Sequence, residues 1–175
     1  MARSATVGPV DFWSSGGTMA DAIRLILTNL PAVLFVAAIA IAFFRRGGPT
    51  AQRYLSWLLL LSVGAEMIWG GFFHVFLPQV AATQIGWQVS PFQFEIGVAD
   101  LAMGIVAVLS FWRSLSFKAA VVFYIILFNA GVAIGHVREA IVNADYAPDN
   151  FGLLLLLTVV KIPLLAWLLW KASEE

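Results

Sequence analysis

The 175-residue chain contains no cysteine, which excludes disulfides, thiolate metal sites and thiol redox chemistry. Charge is scarce as well. Only 11% of the residues are Asp, Glu, Lys or Arg, and the formal net charge is zero. Without a basic patch there is nothing to hold a phosphate backbone, so no nucleic-acid partner is expected. There is no internal repeat, which argues against a transporter built from inverted halves. No cleavable signal is read either. The first long apolar run, Leu25–Phe44, is too long for a signal core and ends in Arg45-Arg46. What the chain has in abundance is apolar surface: 61% of its residues are hydrophobic, and the mean hydropathy is +0.90. A soluble domain of this length cannot bury so much. The expectation is a single all-α domain, an integral membrane bundle surrounded by lipid.

Turn residues divide the chain. Met1–Gly17 is polar and rich in Gly and Ser, with Phe12-Trp13 placed to anchor at an interface. Thr18 and Asp21 resemble a capping box, which starts a helix near Met19 that runs to about Phe44, with a kink expected near Asn29–Pro31. A second helix spans about Gln52–Phe76 and is closed by Pro78. The uncharged stretch Gln79–Val89 reads as interfacial. Ser90-Pro91-Phe92-Gln93 then starts a third helix, with Ser at the N-cap and Pro at the first position, running to about Trp112. The fourth covers about Phe117–Val142, the fifth about Phe151–Lys171, and a polar loop at 143–150 joins them. Each is near the roughly 20 residues that a bilayer requires, giving about five transmembrane helices. Arg45, Arg46, Arg53, Arg113 and Lys118 fall in alternate loops, whereas the other loops carry only Asp145 and Asp149. The positive-inside rule then predicts an inner-membrane protein with its N-terminus outside and its C-terminus inside.

The polar residues within the apolar helices are the candidate site, because ionisable groups in a bilayer are costly and by default mark function. Counted from the outer helix ends, Glu66, Asp100 and Lys161 lie about ten residues in, roughly 15 Å deep by helical rise. Asn129 is slightly deeper, and His74, Glu95, His136 and Glu139 are shallower. Ser62, Glu66, Gly70 and His74 recur every four residues and share a stripe. Gln93, Gly97, Asp100 and Gly104 form another, and Asn129, Ala133, His136 and Glu139 a third, beside a Gly131/Gly135 step. Glu95 points nearly opposite to Asp100.

Two constellations follow. Lys161 with Glu66 or Asp100 can be a buried ion pair that only fixes helix register, or a proton-binding site, since the three charges sum to minus one. The two histidines, His74 and His136, with Glu139, and with Glu95 as an optional fourth member, have the donor chemistry for a metal; the histidines alone have that for a haem. The bland alternative is that each histidine merely hydrogen-bonds at the interface. No nucleophile motif is present.

The run Gly86-Trp87-Gln88-Val89-Ser90-Pro91-Phe92-Gln93-Phe94-Glu95-Ile96-Gly97 resembles a family of small bacterial integral membrane proteins of unknown function. The likeness extends to His74, to Gly135-His136 and to Ala147-Pro148-Asp149-Asn150-Phe151-Gly152, where the family pattern has Gly in place of Asp149. Asp100 stands where Asn is usual. The resemblance implies a membrane location and a small helical bundle, and no activity. Three functions fit the residues. One is an outward-facing polar pocket that binds a small ligand, ion or proton, as in transport. Another is an accessory subunit of a larger membrane complex or homo-oligomer. The third is a membrane enzyme that acts on a lipid or quinone-like substrate by His/Glu acid–base chemistry.

Overall fold

The computed structural model describes residues 29–175, whose regular elements are all helices, with no strand among them. The helix start near Met19, its Thr18–Asp21 cap and the Phe12-Trp13 anchor lie outside the described residues. The kink expected at Asn29–Pro31 falls at their edge. Six helices follow in order: α1 (Leu30–Phe44), α2 (Thr50–Phe76), α3 (Pro78–Ile85), α4 (Pro91–Ser110), α5 (Leu115–Asn143) and α6 (Leu153–Glu174). Four of them, α2, α4, α5 and α6, are long and apolar enough to cross a membrane; α1 is apolar but shorter, with 15 residues. The uncharged stretch after Pro78, read as an interfacial segment, forms the short helix α3. Pro78 opens it, and Gly86 closes it in the left-handed conformation, at φ 86°.

The helices pack through small residues and leucines. Leu55, Leu58, Leu59 and Val63 of α2 meet Ala107 of α4, Val122 and Ile125 of α5, and Leu165 and Leu168 of α6. The α1 helix joins this core through Ala38. Along its second half α2 packs on α4, while its first half lies against α6, which in turn packs on α5. Large apolar side chains such as Phe44, Phe92, Leu127, Ile134 and Ile141 face outward. An apolar exterior of this extent is unfavourable in water.

The α2 and α4 helices approach closely because glycines meet there. A Cβ added at Gly71 would lie 2.8 Å from the Gly97 carbonyl oxygen, and one at Gly104 would lie 2.9 Å from that of Gly64. Backbone sits against backbone at both crossings.

Within α2, Leu58–Ala65 is a π-helix. Its sequence is apolar and carries no mark of this widening. The Glu66 N–H donates to the Leu61 and Val63 carbonyls and passes over that of Ser62. Lys161 reaches across from α6 and donates to the Ser62 carbonyl at 3.3 Å. Single π turns inside α-helices are frequent at functional sites.

The basic end of the bundle is fastened by polar side chains. Arg53 donates to the carbonyls of Ala42 and Gly47, at 2.8 and 3.0 Å, and so closes the α1–α2 turn. Lys118, 2% exposed, donates to those of Phe111 and Arg113, at 3.2 and 2.5 Å. The Glu175 carboxylate accepts from the Ala51 and Gln52 N–H groups at the start of α2. Those backbone donors hold its carboxyl below the usual glutamate value.

Candidate functional site

The structure divides the eight polar candidates into separate groups. At the centre is an ion pair, with Lys161 Nζ 2.6 Å from Glu66 Oε1. Both side chains are withdrawn, the lysine's 5% and the glutamate's 12% exposed. The sequence places these residues on different helices at one depth, and the bundle brings them together where the π-helix ends. The other oxygen, Glu66 Oε2, is buried without a hydrogen-bond partner, and so is the neighbouring Ser62 Oγ.

Asp100 belongs to this centre. It lies on α4 between Gly97 and Gly104, both of which pack against α2. Its carboxylate is near enough to Glu66 for the two charges to repel. Lys161 pairs with Glu66 alone, and Asp100 adds a second carboxylate charge beside that pair in an apolar setting. His74 lies two turns further along α2, against Gly97, and its Nδ1 is buried without a partner.

His136 belongs to a second group, near the start of α6. Its Nδ1 is 2.6 Å from Asn150 Oδ1. The Asn150 amide nitrogen donates to the Asp145 carbonyl at 2.7 Å and to the His136 carbonyl at 3.4 Å. Those two acceptors fix the orientation of the amide, so its oxygen must accept from an Nδ1 that carries the proton. The Trp87 ring stacks on the imidazole, with centroids 5.6 Å apart. Asp149 donates its N–H to the Gln84 carbonyl at 3.3 Å. Burial pushes its carboxyl above the ordinary 3.8, and the nearby His136 offsets part of that. Asn150 is fully buried and holds this loop together. In the sequence it reads only as a turn residue. Its one signal was the Ala-Pro-x-Asn run shared with the family.

The remaining candidates have other roles. Glu139 pairs with Arg138 Nη1 at 2.8 Å and accepts from Asn143. Glu95 is exposed. Asn129 sits half-buried on the stripe of α5 that carries Ala133 and makes no hydrogen bond to either group. An open cleft of about 590 Å³ is lined by Gly86, Trp87, Gln88, Glu139, Asn143 and Asp145, and it does not reach the Glu66–Lys161 pair. His74, His136 and Glu139, read as metal ligands, are not assembled. Among the described residues no group of three or more His, Asp or Glu side chains could hold a metal ion. The physical reason is that His136 is committed to Asn150, and Glu139 to Arg138 and Asn143.

Two members of the Ser90–Gly97 motif also differ from the sequence reading. Ser90 occupies the N-cap of α4 in extended conformation, but its side chain makes no capping hydrogen bond. Gln93 donates instead to the Pro78 carbonyl, at 2.7 Å, tying α4 to the start of α3. The motif thus builds the turn between the two helices.

A model of DUF6790, described as a family of unknown function, matches residues 26–175. No curated protein and no solved structure matches the chain.

Proposed function

The chain belongs to DUF6790, a family of unknown function, and from that premise we propose a multi-pass protein of the bacterial inner membrane that binds and releases a proton at Glu66, Asp100 and Lys161, in the service of transport. Its N-terminus is outside and its C-terminus inside. Four long apolar helices and their outward-facing Phe, Leu and Ile side chains support the membrane placement. Arg45, Arg46, Arg53, Arg113 and Lys118, gathered at one end, support the orientation.

The observation that carries the proton reading is the half-used Glu66 carboxylate. One oxygen holds Lys161 at 2.6 Å, while the other is buried without a partner within reach of the Asp100 charge. An unbalanced charge in a low-dielectric interior is relieved most cheaply by a proton. The test is infrared spectroscopy of the protein in lipid, titrated over a broad pH range. A protonated-carboxyl C=O band should appear and vanish with pH, and Glu66→Gln or Asp100→Asn should shift or remove it. If no such band responds to either substitution, the centre is only a register-fixing ion pair.

A second reading, an accessory subunit or homo-oligomer, is favoured by one observation. Gly131 and Gly135 on α5 have nothing within 4 Å of where a side chain would begin. Native mass spectrometry from lipid would decide between a lone chain and an assembly.

A further inference from the structure

Four buried side-chain polar atoms lack a hydrogen-bond partner among the described residues, and three of them belong to one stripe of α2: Ser62 Oγ, Glu66 Oε2 and His74 Nδ1. Buried polar groups are almost always satisfied, by protein or by ordered water. Three orphans on a single stripe therefore mark a place where water belongs.

The helix contacts show what lies between them. A Cβ added at Gly97 would meet His74 Cβ at 2.8 Å, and one at Gly104 would meet Ile68 Cγ1 at 2.8 Å. Gly97 is thus level with His74, and Gly104 with the turn just past Glu66. Asp100, between those glycines, is level with the α2 turn that separates Glu66 from His74. Gly70 is in that turn, and a Cβ added there would have nothing within 4 Å. Open space at Gly70 thus lies on α2 between Glu66 and His74, level with Asp100 of α4. Glu66 and His74 are eight residues apart, about 12 Å by helical rise, too far for direct transfer. Asp100 and about three waters at ordinary hydrogen-bond spacing would bridge that distance.

We propose that the space beside Gly70 is a water-filled proton route in which His74 is the entry and Asp100 the relay to Glu66. The idea rests on the proton-binding reading of the centre and adds its access path. A proton taken up by the His74 imidazole passes along the waters to the carboxylates. The imidazole returns to neutral, and the summed charge of Glu66, Asp100 and Lys161 moves from minus one to zero. The charged groups facing the route are Glu66 from α2, Asp100 from α4 and Lys161 from α6. Gln93 is held by Pro78, and Glu95 faces away. The bare turn at Gly70 leaves room for the water.

The test follows the carboxyl C=O band of lipid-reconstituted protein after transfer to deuterated water. Gly70→Leu fills this space from a position where an added Cβ meets nothing within 4 Å, so the fold should persist; an unchanged melting temperature checks this. His74→Phe removes the entry group and is the second variant. Both should slow deuteration of the band by about tenfold or more. His74→Gln, which can still hold a water, should slow it less than His74→Phe. Exchange as fast as wild type in both Gly70→Leu and His74→Phe would overturn the route while leaving the proton site intact. A band insensitive to Glu66→Gln and Asp100→Asn would overturn both.

Discussion

Removing the Lys161 ammonium would leave Glu66 with a second oxygen unpartnered beside the first. Truncating one member of a buried pair is costly because the other charge stays buried. Lys161→Met should therefore destabilise the protein by about 3 kcal/mol. Adding Glu66→Gln should restore part of the loss, read as non-additive melting temperatures in detergent. Purely additive losses would mean that the two side chains do not depend on each other. The Asp149 carboxyl makes a separate case, because it lies outside the long helices. Its folded-state pKa is raised above 3.8 by burial. The stability it contributes is then fully present below 3.8 and is lost as pH rises through the raised value. Asp149→Asn should raise the melting temperature at neutral pH and bring no gain in strong acid. A stability difference that does not vary with pH would remove burial as the cause. Depth counting puts Lys161 at one level with Glu66 and Asp100, since a charge in an apolar helix needs a partner at its own level, and the fold selects Glu66. It could not find Asn150, whose partner His136 lies across a loop that only the folded chain closes.

Helix boundaries follow the prolines and polar loops, so the ends expected at Phe76 and Pro91 are where the chain places them. The α5 helix starts at Leu115, two residues before the expected Phe117, because the Ser114 hydroxyl accepts from the Phe117 N–H at 3.4 Å. The π-helix was not legible. Leu58-Leu59-Leu60-Leu61 is apolar on every side, so no periodicity reports a change in hydrogen-bond register. Glycine was legible as a packing residue but not by location, since Gly71 and Gly131 look alike in sequence. The structure separates them. Gly71→Ala or Gly104→Ala should cost about 1–3 kcal/mol, because the added methyl meets backbone atoms below 3 Å. Gly131→Ala meets nothing and should stay within about 0.5 kcal/mol in the isolated chain. Thermal unfolding of the three variants in one detergent is the comparison. A costly Gly131→Ala would mean that another chain occupies that face.

For the molecule as a whole, the natural absence of cysteine makes the topology straightforward to measure. Thr83, exposed on α3, is a suitable place to add one. Thr83→Cys should react with an impermeant thiol reagent applied outside intact cells. Labelling only after permeabilisation would invert the proposed orientation. Five basic residues gather at the opposite end, but the fold does not present them equally. Arg53 and Lys118 are turned onto backbone carbonyls, and Lys118 is nearly sealed from solvent. Only Arg45, Arg46 and Arg113 of that set stand free there. Trypsin let in from that side should therefore cut after Arg113 and spare Lys118, four helical residues into α5. Anionic headgroups, likewise, would meet three free cations of that set rather than five.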